Sequence, residues 1–243
     1  MIRGNYRSRS RRPWKVKHWL VFFVCVAAFA GLVDLLTLPS VADLRTVNPA
    51  TTAIIQARIA EAQRVHRPFA VRQQWVRLKS ISPALRRAIV IAEDGNFFSH
   101  GGFDFAEMWY ALRDALLEFD IPRGASTISQ QLAKNLFLSE SKNPWRKARE
   151  AALTWKLESA LSKERILELY VNVIELGDGI FGVEAAAQHY FGVPAALLST
   201  DQAAFLASII PNPRTVYNPK QQSARVERRK ALILRRMARA QRQ

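Results

Sequence analysis

The chain has 243 residues, 49 % of them hydrophobic, and a formal net charge of +16. This composition excludes a disordered chain, gives length for one domain plus appendages, and calls for an anionic partner. A single cysteine, Cys25, excludes a disulfide framework, and the scattered histidines His18, His66, His100 and His189 show no metal-type spacing.

Residues 1–17 hold Arg3, Arg7, Arg9, Arg11, Arg12, Lys15 and Lys17 and no acid. An apolar stretch over 18–38 follows, close to the roughly 20 residues that span a bilayer. Its one acid, Asp34, lies near the far end, within reach of headgroups. The basic block and Trp14 and Trp19 place a cytoplasmic tail at 1–17 and a transmembrane anchor at 18–38. Ala28-Phe29-Ala30 resembles a signal cleavage site, but the apolar run continues to Leu38, which favours an uncleaved anchor. Everything after residue 40 then lies outside the cytoplasm. There a basic domain meets lipid headgroups and lipid-linked phosphates rather than nucleic acid, and no nucleic-acid signature occurs.

Residues 39–74 read as a linker and lead-in, with a helix in "TTAIIQARIAEAQ" and extended chain near "VRQQWVRL". From Pro83, capped by Ser82, helical pattern is almost continuous. "ALRRAIVIAEDGNFF" runs toward Gly101-Gly102, which would put Glu93, Phe97 and His100 on one helix face. Asp104 caps "FAEMWYALRDALLEF". A Pro-Arg-Gly turn leads to "STISQQLAKNLFL". Asn143 and Pro144 open "NPWRKAREAALTWKLESAL", Ser162 caps "SKERILELYVNVIEL", and Gly192 ends "GVEAAAQHYFG". "TDQAAFLASII" stops at the Pro211–Pro213 break, and "SARVERRKALILRRMARAQ" is a basic amphipathic helix. Strands are scarce. The class is all-α, and 75–243 is the catalytic-size domain.

Three stretches carry chemistry. Glu93 follows an apolar run. A lone Glu there is more simply the start of a solvent face, whereas at a cleft rim partial burial would tune it as a general acid or base. In "RGASTISQQLAKN", Thr127 and Gln130 have capping-box spacing. Ser126, Gln130 and Lys134 form one polar stripe, and Gln131 and Asn135 a second. An ordinary capped helix does not explain that density of amides, which suits sugar hydroxyls. In "NPWRKAREAALTWKLE", Arg146 and Glu150 suit an i, i+4 salt bridge, but Lys142, Arg146, Lys147 and Arg149 crowd one acid. A pyrophosphate would supply the missing charge.

These stretches resemble the signatures of the peptidoglycan glycosyltransferases, glycosyltransferase family 51, in its monofunctional biosynthetic form. "EDGNFFSHGGFD" is similar to E-D-x-x-F-x-x-H-x-G-x-D, "RGASTISQQLAKN" to G-G-S-T-I-x-Q-Q-x-x-K-N and "RKARE" to R-K-x-x-E. "SKERILELYVNVIELGDGIFGVEAAAQHYFG" and "AAFLASIIPNPRTVYNP" match two further blocks, so the likeness covers roughly residues 75–235. Ala125 stands where the family has Gly. Met108 to Phe119, with Trp109, Leu112, Leu116 and Leu117, falls in the family's membrane-dipping apolar jaw. Ser139-x-x-Lys142 matches a penicillin-binding S-x-x-K, but no K-T-G follows, and the match is read as chance.

The resemblance implies a lysozyme-like helical domain that polymerises lipid II on the periplasmic face of the inner membrane and releases undecaprenyl pyrophosphate. It implies Glu93 as the base and Glu150 as the second catalytic carboxylate. Ser126, Thr127, Gln130, Gln131, Lys134, Asn135, Arg146, Lys147 and Arg149 become substrate contacts. Lipid II, the glycan strand, membrane lipids and the cell-wall synthesis machinery are the implied partners. A divalent cation assists some members, and no dedicated ligands are legible here. Arg228, Arg229 and Arg235, on the terminal helix, are assigned to the membrane surface. A lysozyme-like murein hydrolase is the main rival, although it has no use for a pyrophosphate cluster. A non-catalytic membrane-tethered scaffold is the second, weakened by the presence of both carboxylates.

Overall fold

The computed structural model describes residues 16–118, 126–138 and 143–241. Most of the basic tail, the Pro-Arg-Gly turn with Ala125, Phe119, Ser139 and Lys142 lie outside the described residues. So do the side chains of Leu112, Leu116 and Leu117. The chain divides into two compact units, at 1–39 and 40–243.

In the first unit, α1 (Val16–Leu36) is long and apolar enough to cross a membrane, and its side chains are almost all exposed. A 21-residue helix rising about 1.5 Å per residue matches the thickness of a bilayer core. An apolar surface of that kind fits membrane anchoring.

The second unit is all-α apart from three very short strands. Its helices are α2 (Ala53–Arg64), α3 (Pro83–Glu93), α4 (Phe105–Glu118), α5 (Ile128–Phe137), α6 (Pro144–Ala160), α7 (Lys163–Val173), α8 (Val183–Phe191), α9 (Thr200–Ile209) and α10 (Ser223–Ala240). Strand β1 (Arg72–Gln73) pairs parallel to β3 (Ile180–Phe181), which pairs antiparallel to β2 (Glu175–Gly177). Gly182 follows β3 with φ +79°, and a Cβ there would stand 2.7 Å from the Asn172 carbonyl oxygen, so no other residue turns the chain into α8 so cheaply.

The core has two halves. The apolar face of α3 (Leu85, Ala88, Ile89) packs against the Ala-rich α9 and against Val226, Ile233 and Met237 of α10. Helix α5 inserts Ile128, Leu132 and Ala133 between α6, α7 and α2. Full burial of each large aliphatic side chain is worth about 1.5–3 kcal/mol, so α5 is fixed on three sides. The lead-in 39–74 therefore carries a helix packed on the domain, with Ile55 and Ala62 buried.

Most of the expected caps are present: Asp104, Thr127, Asn143 and Ser162 each accept a first-turn amide. Ser82 differs. Its hydroxyl donates to the Leu198 carbonyl at 3.0 Å instead, tying the start of α3 to the loop before α9.

Candidate active site

Helix α3 stops at Glu93, and the helix expected to continue through Phe97 does not form. Asp94 leaves helical geometry at φ −164°, ψ 79°. Its carboxylate accepts the Ile128 amide at 3.0 Å, capping the first turn of α5 from 34 residues away. Its other oxygen faces His100 Nε2 at 2.9 Å. His100 Nδ1 accepts the Gly102 amide at 3.1 Å, which leaves the proton on Nε2, directed at Asp94. Phe97 is wholly buried, with the Lys163 ammonium 4.5 Å from its ring centroid. Phe97 and His100 therefore serve the core and the cap and share no helical face with Glu93. Gly102 has φ +93°, and a Cβ there would meet Glu158 Cγ at 2.8 Å, so this loop lies hard against α6.

The Glu93 side chain is 6 % exposed. Gln131 Nε2 donates to its Oε2 at 2.8 Å, and Arg229 Nη2 donates to its Oε1 at 3.0 Å. Gln131 is itself oriented, because the Tyr170 hydroxyl donates to its amide oxygen at 2.9 Å. Burial drives the Tyr170 pKa far up, so the phenol stays a neutral donor. Burial also raises the Glu93 pKa, opposed by the Gln131 hydrogen bond and by the charges of Arg229 and Lys134. A desolvated carboxylate with a raised pKa, aimed by two donors, suits proton transfer near neutral pH.

The amide-rich helix divides its side chains between fold and site. The capping box consumes Thr127 and Gln130: the Thr127 amide donates to Gln130 Oε1 at 3.0 Å, and Thr127 Oγ1 donates to the Gly102 carbonyl at 2.7 Å. Both are buried, and this packing turns Gln130 out of the stripe expected with Ser126 and Lys134. Ser126 is half-buried and Lys134 exposed. Gln131, Lys134 and Asn135 line a groove of about 700 Å³. Asn135 is buried at its floor. Ser129, which the sequence reading passed over, is buried and hydrogen-bonds Glu158, whose carboxylate also holds Lys163 at 2.8 Å.

At the head of α6, Glu150 is buried between its cations. Arg146 Nη1 donates to Oε2 at 2.7 Å, and the Lys147 ammonium donates to Oε1. Arg149 is half-buried at i+3 from Arg146. The carboxylate orients two cations near a helix N-terminus, where the helix dipole adds positive potential. Helix α5 reaches Glu93 through Gln131 and packs against α6, linking the two carboxylate sites.

The opposite wall of the groove was not legible in the sequence. Arg58 donates to Glu175 at 2.9 and 3.0 Å, Arg214 to Glu61 at 2.8 and 2.9 Å, and Arg67 pairs with Asp178. The Arg214 hydrogen bond leads in holding the Glu61 pKa down at about 2. Arg229 was expected at the membrane surface. It instead turns inward from α10 onto Glu93, because Val226, Ile233 and Met237 dock that helix against α3 and α9.

Asp94, His100 and Asp104 bring ligand atoms within 4.8 Å of one another. These residues do not fit a metal as arranged. Both ring nitrogens of His100 are engaged, Asp94 caps α5, and Asp104 accepts from the Glu107 amide and from Asn96.

The transglycosylase family model matches residues 60–238. The chain is 43 % identical over 232 residues to the biosynthetic peptidoglycan transglycosylase of Nitrosomonas eutropha, covering 95 % of each chain. It is 50 % identical over 194 residues to the biosynthetic peptidoglycan transglycosylase of Laribacter hongkongensis, covering 78 % of this chain and 83 % of that one. Over 193 residues it is 46 % identical to the protein of that name from Nitrosospira multiformis, covering 79 % and 84 %.

Proposed function

The chain belongs to the transglycosylase family, and on that premise we propose that it polymerises lipid II into linear glycan strands of peptidoglycan by inverting glycosyl transfer. Glu93 takes the proton from the acceptor sugar's 4-hydroxyl as that oxygen attacks the donor's anomeric carbon. The bond from that carbon to the undecaprenyl pyrophosphate breaks, and the electron pair leaves with the phosphate. Lys134, Arg146, Lys147 and Arg149 neutralise the departing charge, and Glu150 holds Arg146 and Lys147 in place rather than giving a proton, since a pyrophosphate departs without one. Ser126, Gln131 and Asn135 contact sugar, while Thr127 and Gln130 shape the helix that presents them.

The carrying observation is the pairing of a buried carboxylate of raised pKa with a separate, carboxylate-ordered cation cluster. Glu93 alone would serve a murein hydrolase as general acid equally well, but hydrolysis of a finished glycan produces no pyrophosphate for α6 to receive. The exposed Phe105, Trp109 and Tyr110 of α4 and the apolar α1 support a single-pass protein of the inner membrane, its second unit periplasmic and in reach of the cell-wall machinery. Labelled lipid II tests the reading. Polymer sensitive to lysozyme is expected, and lysis of purified sacculi without polymer from lipid II would overturn it.

A further inference from the structure

We propose that Arg229 of the C-terminal helix is a positioning residue for Glu93, fixing the direction of its carboxylate and keeping it ionised for proton abstraction. This rests on the reading of Glu93 as the base. Three observations carry it. Arg229 Nη2 lies 3.0 Å from Glu93 Oε1 and 3.4 Å from the Ala92 carbonyl, so it grips both the side chain and the last turn of α3. Its guanidinium is held from the other side by the Tyr217 ring, 5.5 Å away. Among the described residues nothing accepts from its buried Nε–H, so the side chain forgoes a hydrogen bond to keep this pose.

Arg229 acts on Glu93 through both its charge and its hydrogen bond. From α5, Gln131 donates a neutral hydrogen bond to Glu93, and the charge of Lys134 also favours its ionised form. From α7 comes the neutral Tyr170. Asp94, next along the chain, is turned onto α5 and His100. Helix α9 brings one acid, Asp201, which pairs with Lys230. Arg229 is thus a cation hydrogen-bonded directly to the carboxylate, and it opposes the desolvation that would leave Glu93 protonated and unable to act. The two donors occupy different oxygens, so both ends of the carboxylate are held.

The test compares full-length wild type, Arg229→Gln, Arg229→Lys and Glu93→Gln in detergent micelles. Polymerisation of lipid II is followed across pH, and Glu93 is titrated directly by ¹³C-carboxyl NMR, assigned by its loss in Glu93→Gln. Removing an adjacent opposite charge moves a carboxyl pKa by about 1–3 units. Arg229→Gln should shift the acid limb of kcat/KM and the NMR titration upward together by about that much, lowering kcat at neutral pH with KM little changed and recovering rate at high pH. Arg229→Lys should restore the limb but not the full kcat, because an ammonium cannot reproduce the fork. A limb and titration unmoved in Arg229→Gln would overturn the proposal, as would an effect on KM alone. If Arg229→Gln does not fold, Tyr217→Leu decides. It loosens the guanidinium without touching Glu93 and should shift the limb the same way by less, and no shift overturns the proposal. Wild type that makes no polymer would defeat the functional reading instead, with the NMR titration still judging the grip of Arg229 on Glu93.

Discussion

Gln131 is the side chain on which fold and chemistry meet, and Gln131→Met separates the two. Methionine keeps the length of the side chain and removes both hydrogen bonds: the donation to Glu93 at 2.8 Å and the acceptance from Tyr170 at 2.9 Å. The first is a bond to a charged group in a nearly closed site, worth about 1.5–3 kcal/mol. Its loss should cut kcat/KM at neutral pH by roughly 10- to 100-fold, because each 1.4 kcal/mol is about tenfold. The second loss strands a fully buried phenol, which costs the fold about 1–3 kcal/mol. Tyr170→Phe removes the stranded hydroxyl, so the pair Gln131→Met, Tyr170→Phe should regain most of the stability and little of the activity. A double-mutant cycle measured by denaturant unfolding and by lipid II polymerisation reads the two effects independently. Stability and activity recovering together in the double variant would refute the reasoning, since Gln131 would then act through the fold alone.

Glu93→Gln should lose about 100- to 10,000-fold in polymerisation, the worth of a general base. A variant retaining a tenth of wild-type rate contradicts the assignment. The same variant should melt higher than wild type at alkaline pH. Burial raises the folded pKa of Glu93 above 4.5, so stability tied to its proton is complete below the unfolded value and lost as pH rises through the folded one. Glutamine mimics the protonated form, and the gap in Tm should close on acidification below about pH 4.5. Lys134→Ala or Arg149→Ala should lower turnover by roughly 10²- to 10³-fold even at saturating lipid II, by analogy with a lost oxyanion donor. Neutralising the exposed Arg225, Arg228, Arg235 and Arg236 of α10 should instead leave turnover in detergent unchanged and weaken binding to anionic vesicles, an effect that added salt mimics. Asp94→Ala should cost about 0.5–2 kcal/mol in unfolding free energy as a lost cap.

What the sequence made legible was local. The caps at Asp104, Thr127, Asn143 and Ser162 depend on residues three apart, and the apolar periodicity of α3, α5 and α7 depends on residues three and four apart. Both survive in a string of letters. The end of α3 does not, because the group that draws Asp94 out of the helix is an amide at Ile128. The stripe of Ser126, Gln130 and Lys134 failed for a related reason: spacing gives the face a residue occupies, and the capping box then turns Gln130 inward. Glu61 and Glu175 meet Arg214 and Arg58 across 153 and 117 residues, and only the further Arg58–Glu61 contact, three residues apart, leaves a short-range trace. Basic amphipathic α10 matched a membrane-surface pattern, but the pattern is blind to which helix its apolar stripe meets. That stripe meets α3, and so carries Arg229 to Glu93.

A carboxylate at the end of an apolar helix is costly to the fold, because burial favours its neutral form. The neighbouring Asp94 shows how the chain tolerates it there. Two adjacent acids leave α3 in opposite senses: Asp94 goes to the α5 N-terminus, where the helix dipole and a backbone amide satisfy it, and Glu93 goes to side-chain donors only. The first arrangement fixes α5, and α5 then presents Gln131 to the second. The structural acid thereby sets the position of a donor on its neighbour, so displacing α5 by losing the Asp94 cap should reach Glu93 through Gln131. Asp94→Asn, which keeps an acceptor for the Ile128 amide, should accordingly preserve more activity than Asp94→Ala. Equal losses in both, with stability matched, would show that the charge of Asp94 acts on the reaction directly rather than through α5.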